Sequence, residues 1–440
     1  MRFVEKDIVD QFRRENIKDF YQYLEQYDEQ VATQMRAAGW KCKNTAKRTV
    51  LFTFGEVEIE RKRWYKKGQC RIPVDEMLGL EKHSRYSREL LYQVAKVARE
   101  LPYRKVANLF EQLYGIVITK DTVYKAVKLS QKLLAEREEY RFYEENQQNQ
   151  PKIKPDTLYI EGDGVWLKTC EKEEESRHRE YSHFLIHTGS EQVEPNRFEL
   201  QNKKEIFSKS NHQARKKLLD YLYNHIEVRP NTILITNSDN GRGYSPHVFK
   251  EVAKALKVKR HEHFWDKFHV YQDIDTLTKN SPEEVRDLFH RAIQTNDKQR
   301  LRIAFDTLES LLREADEEQN RFDALKKKFY RNFQYTKPAR LRGLSLRGIG
   351  VMESQHRKIT YRMKHRGMYW SEGGGETIAR LTILSDQEIR DLFFGDWREK
   401  YAYFQELESL SAEDFRDDRY SYKQGDWMKK INGQPFGKVD

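Results

Sequence analysis

The hydrophobic residues change period several times along the chain, and each change marks a predicted element. From about residue 5 to 38, Ile8, Phe12, Phe20, Leu24, Tyr27, Val31 and Met35 recur at spacings of three, four and eight. That is the buried stripe of one long amphipathic helix. The period shortens to two in RTVLFTFGEVEIERKRWY, where Val50, Phe52 and Phe54 alternate, Gly55-Glu56 interrupts, and Val57 and Ile59 resume. Alternation around a glycine predicts a β-hairpin. Helical spacing returns between Ser87 and Leu134. Three helices are predicted there: one closing near Pro102, one reaching Gly115, and one opening after Thr119 as N-cap. Two short helices with a glycine-containing connection suit a helix-turn-helix. Lys120, Tyr124, Lys125 and Lys128 would then line the third helix, either as a nucleic-acid-reading face or as the solvated face of an ordinary bundle.

The polar run EENQQNQPKIKP, Glu144 to Pro155, lacks apolar periodicity and carries two prolines, so it is read as a linker. Strand patterns follow at once in DTLYIEGDGVWL, YSHFLIHTGS and NTILIT. A helical stretch, NHQARKKLLDYLYNHI, precedes the last of these, and Ser245-Pro246 opens another helix through Leu256. Strands first, then alternating helix and strand, imply a mixed α/β or α+β sheet. A charged helical insertion is expected over about 270–345. The boundaries that result are 1–70 for the first helix and hairpin, 71–150 for the helical region, 156–385 for the sheet-bearing domain and 386–440 for a C-terminal tail.

Composition narrows the function classes. The chain has 440 residues, enough for roughly two or three domains. A charged fraction of 34% against 38% hydrophobic residues implies a soluble protein, and no run of about 18 apolar residues suggests a membrane span. The net charge of +11 favours an anionic partner, most simply nucleic acid. Cys42, Cys70 and Cys170 are scattered, which supports neither a zinc site nor a disulfide framework. MRFVEKDIVDQF has no signal-peptide core, so a cytoplasmic location is expected.

The candidate chemistry lies in acids. Asp163 stands between Gly162 and Gly164 in YIEGDGVWL, and Asp239 follows the strand pattern TILIT. Each alone could be a turn residue. On neighbouring strands the two carboxylates could share a hard divalent ion, Mg²⁺ or Mn²⁺. From Lys337 to Trp370 the chain carries nine Lys/Arg and one acid, Glu353. An i,i+4 pair with Arg357 would account for that acid but contributes only a few tenths of a kcal/mol, roughly, and leaves the surrounding cations unexplained. Arg357, Lys358, Arg362, Lys364 and Arg366 are therefore expected to contact phosphates. Glu372 and Glu376, around the triple glycine of WSEGGGET, are alternative third acids. In HEHFWDKFH, Asp266 and His269 stand three apart, as on one helix face. They lack a clear zinc ligand set, and a structural cluster is the simpler reading.

Several stretches together resemble the ISLre-group insertion-sequence transposases (the UPF0236-type family), relatives of the Mutator-like kind. They are RTVLFTFGEVEIERKRWY, the ARELPYRKVANLF region, YIEGDGVWL, ITNSDNGRGY, FWDKFHV and RMKHRGMYWSEGG. Their shared order spans roughly residues 45 to 380. The resemblance implies an RNase H-like core with DDE acids Asp163, Asp239 and Glu353, and a D-x-x-H element at Asp266 and His269. Ser354 stands where the family pattern has Gly after its Glu. It further implies two Mg²⁺ (or Mn²⁺) ions, cleavage and strand transfer of double-stranded DNA at transposon ends and target, and a homodimer or larger assembly, nucleoid-associated when bound. No nucleophilic Ser or Cys is needed for that chemistry. The rival expectations are a non-catalytic DNA-binding protein derived from a transposase, and another RNase H-like nuclease acting on RNA–DNA hybrids or junctions.

Overall fold

The computed structural model describes residues 4–147, 151–171, 177–195, 197–311, 316–344, 348–364 and 366–409. The chain opens with α1 (Glu5–Ala37), which packs on a three-stranded antiparallel sheet of β1 (Lys41–Phe52), β2 (Gly55–Lys66) and β3 (Gln69–Arg71). Phe52 pairs with Gly55 at the hairpin end, where Gly55 takes φ +140°. Leu24 of α1 joins Val50, Phe52, Val57, Ile59 and Val74 in a small core. Val74 comes from the short α2 (Pro73–Met77), whose Asp75 carboxylate is gripped by Arg48 and Arg61.

Three helices follow: α3 (Arg88–Ala98), α4 (Tyr103–Tyr114) and α5 (Lys120–Gln147). Gly115 closes α4 in the left-handed region, and the Thr119 hydroxyl accepts from the Thr122 amide at the start of α5. Helix α5 runs into the segment read from sequence as a linker, and residues 148–150 of that segment lie outside the described residues. The buried face of α5 (Val123, Ala126, Val127, Leu133) shares one core with Val165, Leu167, Tyr181 and Phe207 of the second sheet. The three-helix region is thus packed as one body with that sheet.

The second sheet holds five strands: β4 (Thr157–Lys168), β5 (His178–His187), β8 (Lys204–Ser208), β9 (Ile233–Ser238) and β10 (Arg260–Trp265). A two-stranded ribbon, β6 (Gly189–Glu194) with β7 (Arg197–Gln201), separates β5 from β8. Helices α6 (Asn211–His225) and α7 (Pro246–Ala255) flank β9. The strand order is β10-β9-β4-β5-β8, with β5 antiparallel to both its neighbours and β4, β9 and β10 mutually parallel. Leu158, Ile160 and Leu234 bury one face against α6 and α7. Tyr159, Ile235 and Phe264 bury the other face against Ala339, Leu344 and Ile349.

The expected helical insertion is present as α8 (Lys267–Leu277), α9 (Glu283–Thr295), α10 (Lys298–Leu311) and α11 (Asp316–Asn332), with its own core around Phe289, Phe305 and Phe329. Helix α12 (Met352–Met363) then returns to pack on β4. Helices α13 (Glu372–Ile383), α14 (Asp386–Phe394) and α15 (Trp397–Ser409) complete the core shared with α3 and α5. The segment read as a C-terminal tail thus holds two helices, α14 and α15, and residues 410–440 of it lie outside the described residues. Among the described residues no helix is long and apolar enough to cross a membrane.

Candidate functional site

Register brings the predicted acids together. On β4, Gly162 pairs with Ser238 of β9, and Ser238 pairs with Trp265 of β10. The next residue on each strand line is Asp163, Asp239 and Asp266. Neighbouring strands lie about 4.8 Å apart, so these three acids form one row across the sheet, Asp163 within β4 and Asp239 and Asp266 just past the ends of β9 and β10. Strand alternation puts Glu161 and Asp163 on the same face as Tyr159, and Asn237 and Asp239 on the same face as Ile235.

Asp163 is held on several sides. Its Oδ1 accepts from the Gly164 amide at 2.7 Å, and its Oδ2 lies 3.5 Å from His356 Nδ1 on α12. Burial, then the charge of Asp239, pushes its carboxyl up to about 7, against a smaller pull from His269. Asp239 accepts from the Gly241 amide at 2.8 Å. The loop after it is fixed by Asn240, whose side-chain oxygen meets His263 Nε2 at 2.7 Å. His263 in turn meets the Thr236 hydroxyl at 2.8 Å.

The glycines beside Asp163 were read as room for backbone, metal or phosphate. A Cβ on Gly162 would come within 2.7 Å of the Phe184 ring, and one on Gly164 would strike the Glu180 carboxylate. The space is used by the protein's own side chains.

Asp266 and His269 are brought together by capping rather than by a shared helix face. HEHFW is strand β10, and Asp266 is the N-cap of α8. Its Oδ2 accepts from the His269 amide at 3.2 Å and meets His269 Nδ1 at 3.0 Å. Burial opposes ionisation of Asp266, but the bonds with His269 and Asn237 outweigh it and hold the carboxyl low. The same bond to Asp266 raises His269, and the charges of Asp163 and Asp239 act in the same direction.

Glu353 stands in the first turn of α12, exposed, and among the described residues no hydrogen bond or ion pair holds its carboxylate. The i,i+4 pair with Arg357 does not form. His356, one turn further on, is the residue of α12 that reaches Asp163, and burial pushes it down to about 3. Glu372, by contrast, is held by Arg179 at 3.2 Å and Lys209 at 3.3 Å, and Glu376 sits half-buried one turn along α13.

Arg362 corrects an expectation. It is 2% exposed, and its guanidinium donates to the carbonyls of Ala98 and Leu101 over the Trp370 ring. It is spent on the end of α3 and is closed to a phosphate. Lys120, Lys125, Arg357, Lys358, Lys364 and Arg366 are exposed. Lys125 lies over Tyr86, and Arg366 over Tyr361.

Three residues of the site escaped the sequence reading. Glu161 is 1% exposed, and burial pushes its carboxyl up to about 7 although the amides of Val351 and Met352 and the Asn237 side chain oppose this. His183 pairs in register with Asp163, stacks on His356 at 5.1 Å, and meets Glu205 at 3.1 Å. Glu205, its charge assisted by His183 and Lys203 against burial, is held down at about 2. A charge inside the apolar run TLYIEG was a signal for Glu161. The other two depend on strand pairing.

The row is a set of hard oxygen donors. Asp163 and Asp239 repel each other in a half-desolvated setting, a condition that a bound divalent cation relieves. Asp163 and Asp239 fit such an ion. Among the described residues no group of three His, Cys, Asp or Glu side chains is already gathered at ligating distance.

Comparisons with known proteins identify the family of the chain. A solved Drosophila P element transposase strand transfer complex is 8% identical, covering 77% of this chain and 90% of that one, with a TM-score of 0.23, too low to bear on fold. A protein of Streptococcus gallolyticus described as "UPF0236 protein in vanSb 3'region" is 30% identical over 391 residues, 87% of this chain and 81% of the relative. The model of the uncharacterised protein family UPF0236 matches residues 3–400, so it takes in both sheets, the helical insertion and every acid described above: the chain belongs to the UPF0236 family.

Proposed function

We propose that the protein is a DDE transposase of an insertion sequence, built on an RNase H-like core, that cleaves and joins DNA strands. One observation carries the reading: Asp163, within β4, stands beside Asp239, just past the end of the adjacent parallel strand β9, and β4 packs under the helix that bears Glu353. The strand order, with three antiparallel strands followed by two parallel ones, supports an RNase H-like core. A net charge of +11 supports double-stranded DNA as the partner.

Asp163 and Asp239 would hold Mg²⁺ or Mn²⁺, with Glu353 as third acid. When bound, the ion supplies Lewis-acid polarisation of the phosphoryl oxygens and an acidified water. The rest is done by the chain. The Gly164 and Gly241 amides fix one oxygen each of Asp163 and Asp239, and the second oxygen of Asp163 faces His356. His269, oriented by Asp266 and with its imidazole held above its ordinary value by that bond, stands beside the two acids and close to where phosphate must lie. Exposed cations on α12 and at the start of α5 hold the DNA backbone.

The test is Asp239→Ala. It should bind transposon-end DNA as the wild type does and lose Mg²⁺-dependent cleavage. Cleavage at the wild-type rate refutes the assignment. Absence of cleavage by the wild type, with DNA binding intact, would favour a DNA-binding protein derived from a transposase.

A further inference from the structure

Helix N-termini leave their first amides without partners, and a side chain just ahead of the helix usually caps them. In α12 that position is Val351, which cannot cap, and no side-chain cap bond is made by it. The acceptor comes instead from the middle of the sheet. Glu161 Oε1 accepts from the Gly350 amide at 2.9 Å and the Val351 amide at 3.3 Å, and Oε2 accepts from the Met352 amide at 3.2 Å. Gly350, at φ +75°, turns the chain into this position. Bonds from amides to a carboxylate at a helix N-terminus are charge-assisted and aligned with the helix dipole.

The same carboxylate reaches the other end of the insertion. Glu161 pairs in register with Asn237 on β9. Asn237, 3% exposed, donates through Nδ2 to Glu161 Oε2 at 3.3 Å and to Asp266 Oδ1 at 2.9 Å. Asp266 caps α8, the first helix of the insertion, and its own amide donates to Ser238 at 2.7 Å. The leading stem at Asp266 and the returning stem at 350–352 are therefore joined through two buried side chains on the two central parallel strands.

We propose that Glu161 and Asn237 are positioning residues: a buried clamp that fixes both stems of the helical insertion to the sheet and so sets α12, through His356, against Asp163. Both oxygens of Glu161 are occupied by protein donors, so it serves placement rather than ligation. The inference rests on the proposed function for its catalytic consequence, while the clamp itself can be read without activity.

Full-length wild type, Glu161→Gln and Asn237→Ala are compared. Amide exchange is followed at 350–352 and at the start of α8, with single-turnover cleavage and DNA affinity measured alongside. Glu161→Gln should speed exchange at 350–352, and a displacement of about 1 Å should cost roughly 100-fold in cleavage rate with DNA affinity unchanged. Asn237→Ala keeps every acid and should loosen both stems, so it decides the matter if Glu161→Gln does not fold. Unchanged exchange in the variants overturns the clamp. Faster exchange with wild-type cleavage overturns the positioning role. If the wild type itself does not cleave, the functional reading falls and the exchange data still decide whether the clamp exists.

Discussion

Asp163 bears a cost that depends on pH, because burial and Asp239 push its carboxyl from 3.8 up to about 7. An acid whose folded value is raised contributes stability in full below its unfolded value, and that contribution is lost as the pH rises through the folded value. Between about pH 4 and pH 7 the loss is at most roughly 4 kcal/mol. In cation-free buffer, Asp163→Asn should therefore unfold at a higher temperature than the wild type at pH 8 and at nearly the same temperature at pH 4. Equal melting of the two at pH 8 would show that the acid pair is not strained. Asp163 and Asp239 were legible in the sequence because the first interrupts an apolar run between two glycines and the second follows an apolar run, two residues before Gly241. Glu161 lies only two residues from Asp163, but the text holds no trace of the helix end it grips, since those amides come from 350–352.

At the scale of elements, periodicity revealed α1, the first hairpin, α3 to α5 and the helical insertion, where one apolar stripe repeats over several turns. It failed where strands are short or ends are shared. β10 was read with a helical spacing because His261 to His269 spans a strand, a cap and a helix start in nine residues. β8, five residues long, was not seen, and with it went Glu205 and its partner His183. Helix α12 was read as a row of phosphate contacts, yet one of its cations faces inward. Arg362 satisfies the Ala98 and Leu101 carbonyls at the end of α3, so it joins the helical region to α12, which packs on the second sheet. Removing it strands buried acceptors, each worth about 1–3 kcal/mol. Arg362→Ala should lower unfolding stability in urea by about 3 kcal/mol, whereas Lys364→Ala, on the exposed side, should stay within about 0.5 kcal/mol. Similar losses in the two would mean that Arg362 is not the joint.

The whole molecule sets a line of carboxylates within a strongly cationic protein, and the two signs act at different places. The acids lie in a row across β4, β9 and β10, with α12 packed on β4, while Arg357, Lys364 and Arg366 are exposed on or just beyond that helix. A polyanion held by these cations would bring a phosphodiester toward the acids, which alone would repel it. The shared core of α3, α5, α12 and α13 makes this one body, so the cations need no domain closure to reach their places. Each phosphate contact releases counterions and adds about 0.9 to the slope of log affinity against log salt. Replacing Arg357, Lys364 and Arg366 together by alanine should therefore reduce that slope by roughly 3 on duplex DNA. Asp163→Asn removes a negative charge from the site without touching these cations, and should leave the slope nearly as it was or raise it. A triple variant whose slope matches the wild type would place the DNA elsewhere on the molecule, with the exposed face at Lys120 and Lys125 of α5 as the next surface to test by the same measurement.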